Sequence, residues 1–418
     1  MPRAGRRLPT LGMTPASSVP VRRAPGLAVG RSGVDCAAGA AQTEGCRSSG
    51  FVARCGGRRE SFEPVESIYY VLCWACHRKC RHCYEPRFRP YVRAALDGVV
   101  SEALANFPRI IDHLPPQMRY LDREHPAPDG SLPQRRGRVI LSGGEVLIDP
   151  VRTRVLYPAM MRIRRRYAGC GGVDLIIQTT GDLLTDGIVE DLLANGASTI
   201  SVSGVDAFHS GLRGTARQAA FKERLCRLFE AHGLRPAEAP PGAAGPQAAS
   251  GPYYNFFGAT PDAWIGRLWP RGRAWENGLS TATLVDNFCN RWSGGLNFLR
   301  HGYSGSEVSI DPRGDVFPCC IKTRVPIGNL LEDDLISILD SLAHEPAFEA
   351  ISAGHPERMG LAYGWSEARF RTESTTVTPK GAEYANLCIG CDRFHESVLG
   401  AVIEAARVRR AAQRGCVA

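Results

Sequence analysis

From residue 66 onward, short apolar runs alternate with longer segments in which apolar residues recur at helical spacing. The short runs predict β-strands at 67–72, 139–142, 173–178 and 198–203. The longer segments predict helices at 93–113, 151–167, 185–195 and 214–232. Strands that alternate with helices in this way form parallel sheets with right-handed crossovers. The pattern therefore predicts an α/β fold, specifically a partial (β/α)6 barrel of the TIM type.

The alternation of strands and helices stops near residue 286. Residues 252–257 predict a fifth barrel strand before that point, and residues 306–318 predict a hairpin after it. The N-terminal segment is rich in Pro, Gly, Ala, Ser and Arg, has no apolar period, and is predicted to be disordered. The chain thus divides into a basic N-terminal segment (1–62), the barrel (63–285), a small second domain (286–400) and a basic tail (401–418).

The formal net charge of +9 is concentrated near the N-terminus. Residues 1–60 contain ten arginines and three acidic residues, so the rest of the chain is close to neutral. A body without a basic stripe does not favour a nucleic-acid partner. The chain also has no apolar run of roughly 18 residues, which a membrane-spanning helix would need, so no membrane association is predicted.

Fifteen cysteines are many for a chain of 418 residues. Disulfide frameworks are typical of short secreted chains that carry a signal peptide. The pair Arg6–Arg7 is not followed by the apolar segment of such a peptide. The cysteines therefore indicate metal ligands in a reducing, cytoplasmic compartment.

Three of these cysteines follow the first predicted strand closely. Cys76, Cys80 and Cys83 stand at C-x3-C-x2-C spacing. Three thiolates at this spacing can hold three irons of a four-iron cube and leave the fourth open to a substrate or cofactor. Together with Cys73, the run also contains two C-x2-C pairs that could bind zinc, although such pairs are usually a dozen or more residues apart.

The run from Cys76 to Tyr84 resembles the cluster loop of the radical S-adenosylmethionine superfamily. The resemblance implies a [4Fe–4S] cluster on Cys76, Cys80 and Cys83, with S-adenosylmethionine bound to the fourth iron. It also implies reductive cleavage of that cofactor to a 5′-deoxyadenosyl radical, which abstracts hydrogen from a substrate. A flavodoxin- or ferredoxin-type protein would supply the electron.

Further cofactor contacts are expected at the carboxyl ends of the strands, where active residues of parallel sheets collect. Two glycines after the second strand allow a close approach to the backbone, and the resemblance implies that this segment receives the amino group of the cofactor. The predicted cofactor-binding residues are Tyr84, Gly143, Gly144, Glu145, Thr179, Ser201, Ser203 and Arg273. Ordinary turns, or a surface position for the arginine, remain alternatives for several of them.

Asp206 and His209 follow the fourth strand and are the candidates for a catalytic general base. A salt bridge within the loop, or a helix cap, would explain the same two residues.

A second group of cysteines lies in the C-terminal part of the chain. Cys388 and Cys391 form a C-x2-C pair, Cys319 and Cys320 end the predicted hairpin, and Cys289 lies near the domain boundary. The segment from Ser309 to Asp333 is similar to the auxiliary-cluster domains called SPASM and twitch. There are too few cysteines for the two clusters of a full SPASM domain. One auxiliary [4Fe–4S] cluster is therefore expected, and its predicted ligands are Cys289, Cys319, Cys388 and Cys391, with Cys320 as the alternative to Cys319 and zinc as the alternative metal.

The predicted function is oxidation, or another radical modification, of a small-molecule or peptide substrate, assisted by the auxiliary cluster. Residues 1–62 lack the apolar periodicity of a leader-recognition domain, which favours a small molecule or a peptide presented by a separate protein. One alternative is a maturase that crosslinks peptides. An alternative of another class is a non-enzymatic protein that transfers electrons or binds zinc.

Overall fold

The computed structural model describes residues 65–237, 251–260, 266–291, 293–299 and 305–415. The predicted disorder of residues 1–62 and the end of the basic tail lie outside these ranges. Residues 60–418 form one compact unit. The proposed boundary at residue 285 falls inside this unit and stays a prediction.

Thirteen strands are found in the described residues. In chain order they are β1 (Ser67–Val71), β2 (Arg119–Leu121), β3 (Gln134–Arg136), β4 (Arg138–Ser142), β5 (Asp174–Thr179), β6 (Ala197–Ser203), β7 (Arg235–Pro236), β8 (Tyr253–Phe257), β9 (Glu307–Ile310), β10 (Asp315–Phe317), β11 (Gly328–Asn329), β12 (Thr375–Val377) and β13 (Glu383–Ala385).

Ten α-helices accompany them in the same part of the chain. They are α1 (Arg93–Asp112), α2 (Tyr157–Tyr167), α3 (Asp186–Ala194), α4 (Thr215–Ala231), α5 (Gly272–Glu276), α6 (Leu335–Asp340), α7 (Pro346–Ser352), α8 (Glu367–Glu373), α9 (Leu387–Phe394) and α10 (Gly400–Gly415).

Nine strands form one sheet in the order β11-β10-β9-β1-β4-β5-β6-β8-β7. The pairs β1·β4, β4·β5, β5·β6 and β6·β8 are all parallel. All five residues of β1 are buried, as expected for a strand that is covered on both faces of a parallel sheet. The predicted α/β class is confirmed, whereas the finer description as a partial (β/α)6 barrel stays a prediction.

The predicted C-terminal hairpin is formed by β9 and β10, which pair antiparallel. Its turn requires Gly314, whose φ of 82° lies in the left-handed region that favours glycine. Strand β9 also pairs in parallel with β1. The hairpin therefore continues the main sheet, although the sequence predicts that it belongs to the second domain.

The helices α1, α3 and α4 begin and end within two residues of the predicted bounds. Helix α1 buries Val100, Ala103, Phe107 and the pair Ile110–Ile111 in the core, which are apolar residues at helical spacing. The predicted helix at 151–167 differs because it opens with a π-helical turn, Arg152–Leu156, before α2.

The hairpin of β2 and β3 was not predicted. Each strand has only three residues, and most of their side chains are half-buried or exposed. Strands this short, within a segment rich in proline and charge, show no apolar alternation that could reveal them. Among the described residues, no helix is long and apolar enough to span a membrane.

Candidate active site and auxiliary site

A cavity of about 520 Å³ lies at the carboxyl ends of the parallel strands. The last residues of four strands line it, namely Ser142 of β4, Thr179 of β5, Ser203 of β6 and Phe257 of β8. This is the edge at which active sites of parallel sheets are built, because the loops that follow the strands meet there. The cavity is therefore the candidate active site.

The motif cysteines Cys76, Cys80 and Cys83 all line this cavity as free thiols. Cys73 does not line it. Its Sγ lies 4.0 Å from the carbonyl oxygen of Val99 in α1, within the apolar core. Cys73 therefore lies apart from the other three cysteines, and the four do not form the two C-x2-C pairs that would bind zinc.

The three thiols fit a cluster with one open iron. Burial raises the pKa of Cys76 to about 12 and of Cys83 to about 11, so their thiolates need a positive partner such as iron. Among the described residues, no three His, Cys, Asp or Glu side chains converge closely enough to hold one metal ion. The ligands of a four-iron cube each bind a different iron, and so they stand farther apart than the ligands of a single ion.

The glycine pair packs directly against the cysteine loop. A Cβ on Gly144 would lie 2.2 Å from the carbonyl oxygen of Ala75, and one on Gly143 would lie 2.8 Å from that of Cys73. The backbone N–H of Gly144 donates to Cys73 O at 3.0 Å, and that of Glu145 donates to Ala75 O at 2.9 Å. Both glycines line the cavity. Both positions require glycine because the cysteine loop lies too close to leave room for a side chain.

Glu145 lies beside the cavity, and its predicted role in cofactor binding stays a prediction. Its side chain is buried and does not line the cavity. The carboxylate accepts hydrogen bonds from Thr179 Oγ1 at 2.8 Å and from Thr180 N and Oγ1 at 2.7 and 2.6 Å. Glu145 therefore ties the loop after β4 to the end of β5.

The serines of β6 separate into two roles. Ser203 lines the cavity, as does Thr179, which matches their predicted positions. Ser201 does not, because its hydroxyl donates to Asn255 Oδ1 of β8 at 2.5 Å in the buried interior of the sheet. Strand alternation places both serines on one face, but depth along the strand decides which of them reaches the cavity.

Asp206 and His209, the predicted general-base candidates, both line the cavity and contact each other. Asp206 Oδ1 lies 3.1 Å from His209 Nδ1, and the imidazole rests on Gly204, where φ is 78° and a Cβ would overlap the ring. Burial raises the pKa of Asp206, but its interaction with His209 and the hydrogen bond from the backbone N–H of Phe208 outweigh it and leave this pKa below its usual value. The carboxylate is therefore charged at neutral pH.

His82 was not singled out as a site residue, yet it lines the cavity beside His209. The two ring centroids lie 4.5 Å apart in an edge-to-face arrangement. Burial, together with the neighbouring His209, lowers the pKa of His82 to about 4, so this ring is neutral at pH 7.

A network of hydroxyl groups at the centre of the sheet was also not predicted from the sequence. Tyr69 Oη lies 2.8 Å from Ser142 Oγ and 3.3 Å from Tyr84 Oη, and it donates to Gln178 Oε1 at 2.7 Å. Tyr84 was predicted to contact the cofactor, and it lines the cavity next to Tyr69. The available signal was the alternation of β1, which places Tyr69 on the same face as Val71.

The guanidinium of Arg273 binds the cysteine loop, and its predicted contact with the cofactor's carboxylate stays a prediction. Its guanidinium donates to three carbonyl oxygens of the cysteine loop and the segment after it, those of Cys80 at 2.8 Å, Pro86 at 2.9 Å and Phe88 at 2.7 Å. Its backbone N–H donates to Cys83 O at 2.8 Å. Although Arg273 lines the cavity, all three of its guanidinium nitrogens hold this loop in place.

A second pocket contains the other cysteines. Cys289, Cys319, Cys388 and Cys391, the four predicted auxiliary ligands, line it together as free thiols. Cys320 lines the main cavity instead, since the chain turns after β10 and directs the two neighbouring side chains to different spaces. Burial raises the pKa of all four thiols, as expected for groups that become thiolates only when bound to metal. The four residues therefore fit one auxiliary cluster.

The choice between the adjacent cysteines can be tested by iron content. We expect the Cys319→Ala protein to lose the auxiliary cluster, and thus about half of its iron, because a four-iron cluster needs its thiolate ligands. The Cys320→Ala protein should retain full iron content, since that thiol faces the other cavity. Equal losses of iron from the two proteins would contradict the assignment.

Comparison with known proteins identifies the C-terminal part of the chain. Residues 303–392 match the SPASM family, an iron–sulfur cluster-binding domain. No curated protein matches the sequence. The predicted auxiliary iron–sulfur domain is thereby confirmed.

Several solved structures show a distant overall likeness at low sequence identity. BtrN in complex with AdoMet and 2-DOIA has a TM-score of 0.37 and 13% identity, with 72% of this chain and 92% of BtrN covered. Native anSMEcpe with bound AdoMet has a TM-score of 0.36 and 12% identity, with 82% of this chain and 99% of anSMEcpe covered. Streptococcus suis SuiB bound to precursor peptide SuiA has a TM-score of 0.28 and 11% identity, with 73% and 74% covered.

The family match shows a SPASM-type iron–sulfur domain over residues 303–392. The cysteine triad after β1 and the glycine pair packed against its loop lie together in the fold, and membership of the radical S-adenosylmethionine superfamily stays a prediction from these motifs.

Proposed function

We propose that the protein is an enzyme that cleaves S-adenosylmethionine reductively and uses the resulting radical to oxidise, or otherwise modify, a small-molecule substrate. The observation that carries the proposal is the shared cavity. The three motif cysteines, the Gly143–Gly144 backbone and the Asp206–His209 pair all line one space at the carboxyl edge of the sheet. A protein that only transfers electrons would have no use for such a cavity beside its cluster.

Cys76, Cys80 and Cys83 would hold the cluster. When bound, the cluster and S-adenosylmethionine would supply the 5′-deoxyadenosyl radical that takes a hydrogen atom from the substrate. The protein's own part is to position and enclose. Arg273 holds the cysteine loop in place by donating to the loop's backbone carbonyl oxygens. Apolar side chains such as Phe257 and Trp269 line the cavity and exclude water.

The Asp206–His209 pair is suited to accept a proton that a substrate releases on oxidation. When Nδ1–H of His209 donates to the charged Asp206 carboxylate, Nε2 carries the free lone pair. The neutral His82 ring against it adds no positive charge that would compete for this role. We therefore assign the general-base role to His209 and the orienting role to Asp206.

An electron released by the substrate would have a short route to the auxiliary site. Phe288 and Ile321 line both the main cavity and the pocket of the auxiliary cysteines, so the two spaces share a wall. This shared wall supports an electron-acceptor role for the auxiliary cluster. In that role, the Cys319→Ala protein would still cleave S-adenosylmethionine but would form no oxidised product. An equal fall in cofactor cleavage would contradict the role.

The volume of the cavity favours a small substrate. Ligand pockets of about 300–1,000 Å³ typically hold one drug-sized molecule, and here about 520 Å³ would be shared by the cofactor and the substrate. The remaining space suits a small molecule or a single side chain of a peptide. A peptide-modifying enzyme is thus the second candidate.

The experiment that tests the proposal is anaerobic reconstitution with iron and sulfide, followed by EPR of the reduced protein with and without S-adenosylmethionine. We expect the added cofactor to change the signal of one cluster, because its open iron gains new ligands. We also expect 5′-deoxyadenosine to form when a low-potential reductant is present. A colourless, zinc-loaded protein, or a signal that the cofactor leaves unchanged, would overturn the proposal and favour the non-enzymatic alternative.

A further inference from the structure

Two arginines that are separated by a single glycine contact both cysteine sites. Arg273 binds the loop of the first site, as described above. Arg271 lines the pocket of the auxiliary cysteines. Gly272 makes this arrangement possible, because its φ is 51° and a Cβ would lie 2.3 Å from the carbonyl oxygen of Tyr84. The segment 271–273 therefore connects the two cysteine sites in three residues.

The guanidinium of Arg271 is held in a fixed position. It forms a bidentate ion pair with Asp392, with Nη1 and Nη2 each 2.9 Å from a carboxylate oxygen. It also donates to the carbonyl oxygens of Cys388 and Lys322, both at 3.4 Å. Bidentate pairing and additional carbonyl contacts restrict a guanidinium strongly.

Arg271 is the only charged side chain among the described residues that line the auxiliary pocket. Its guanidinium contacts the backbone of Cys388, one of the four cysteines that share this pocket, so its positive charge lies beside the proposed cluster. Nearby His395 does not add to this charge, since burial, followed by Arg271, lowers its pKa to about 4.

We infer that Arg271 is a positioning residue that raises the reduction potential of the auxiliary cluster, and that Asp392 moderates this effect. A reduced cluster carries one more negative charge than an oxidised one, so a fixed positive charge beside it stabilises the reduced form. Weak solvent exposure increases the effect, because water screens little of the charge there. The inference rests on the proposed auxiliary cluster but not on cleavage of S-adenosylmethionine.

The ion pair makes the inference testable, since its two members act in opposite directions. Arg271→Gln should lower the potential of the auxiliary cluster, and Asp392→Asn should raise it. We expect each change to alter the reduced-to-oxidised ratio at a fixed ambient potential about tenfold, which corresponds to ~59 mV for a one-electron couple. The measurement is an EPR-monitored redox titration of the anaerobic holoenzyme. The auxiliary signal is identified as the one that S-adenosylmethionine leaves unchanged.

Arg393→Gln is the matched control. Arg393 follows Asp392 in α9, but its guanidinium binds the carbonyl oxygens of Glu373 and Thr375 outside the pocket. Its substitution should leave the potential unchanged, whereas Arg271→Lys, which keeps the charge, should restore most of the native value. Shifts of the same sign for Arg271→Gln and Asp392→Asn, or no shift in either, would overturn the inference.

If Arg271→Gln loses iron, the potential of its auxiliary cluster cannot be measured. The direction of the shift in Asp392→Asn then decides whether the inference holds. Formation of 5′-deoxyadenosine by the same variants is measured in parallel. If it persists while the potentials fail to move, the inference about Arg271 is wrong and the proposed function stands. If it is absent from the unaltered protein, the proposed function fails, whatever the potentials show.

Discussion

Replacement of Cys80 by alanine is expected to reduce formation of 5′-deoxyadenosine to the level of a protein-free control, whereas replacement of Cys73 should leave it intact. Cys80 is one of three thiols that line the main cavity, and a cluster with only three protein ligands cannot lose one and keep its site. Cys73 packs against α1 in the core and takes no part. The measurement is chromatographic quantification of 5′-deoxyadenosine, together with iron content.

The Cys73→Ala protein is a demanding control because the two cysteines belong to the same motif region. Removal of the Cys73 thiol from the core should lower the free energy of unfolding by about 1 kcal/mol, a typical value for one substitution. If Cys73→Ala abolished cofactor cleavage while the protein remained folded, Cys73 would be a ligand. The vacant iron on which the proposal depends would then not exist.

The second large effect is expected from Gly144→Ala. The new Cβ would lie 2.2 Å from Ala75 O and 2.8 Å from Cys76 Cβ, so the glycine loop and the cysteine loop would have to separate. Forced overpacking of this kind costs about 1–3 kcal/mol, which corresponds to a loss of roughly 5-fold to 160-fold if it acts on the bound cofactor. The rate of 5′-deoxyadenosine formation, and the EPR change on addition of S-adenosylmethionine, should both decrease.

Gly98→Ala provides the matched substitution. Gly98 lies within α1, and a Cβ there would meet no atom within 4 Å. Because alanine is the better helix former, this change should stabilise the protein by about 0.5–1 kcal/mol and leave cofactor cleavage unchanged. A Gly144→Ala protein with native activity would show that the loops have room to separate.

The strands of the parallel sheet and the helices that follow them could be predicted because their signals are local. The apolar period of α1 and the runs of β1 and β4 are visible in any window of a dozen residues. The grouping of the cysteines around two pockets could be predicted for a similar reason, since spacing limits which thiols can meet. Cys319 and Cys320 could not be separated by spacing, and only the direction of each side chain in the fold distinguishes them.

The contacts that Glu145 and Arg273 make within the protein could not be predicted from the sequence. Each residue stands at a position where a cofactor contact is chemically sensible, and each also satisfies polar groups of distant segments. Buried carbonyl and N–H groups need partners, and which side chain supplies them depends on the assembled fold. His82 and the hydroxyl network around Tyr69 were not predicted for the same reason, because their neighbours come from distant parts of the chain.

The pairing of β9 with β1 determines how the chain could be divided. Strand β1 is buried throughout, and its outer partner comes from residues 307–310, well beyond the predicted boundary. A fragment that ended at residue 285 would leave β1 as a bare edge, with unpaired N–H and C=O groups beside an apolar surface. Edges of this kind associate with other chains and aggregate. The iron–sulfur domain therefore cannot be removed from the rest of the fold without harm, since its hairpin also pairs with the edge of the first strand of the main sheet.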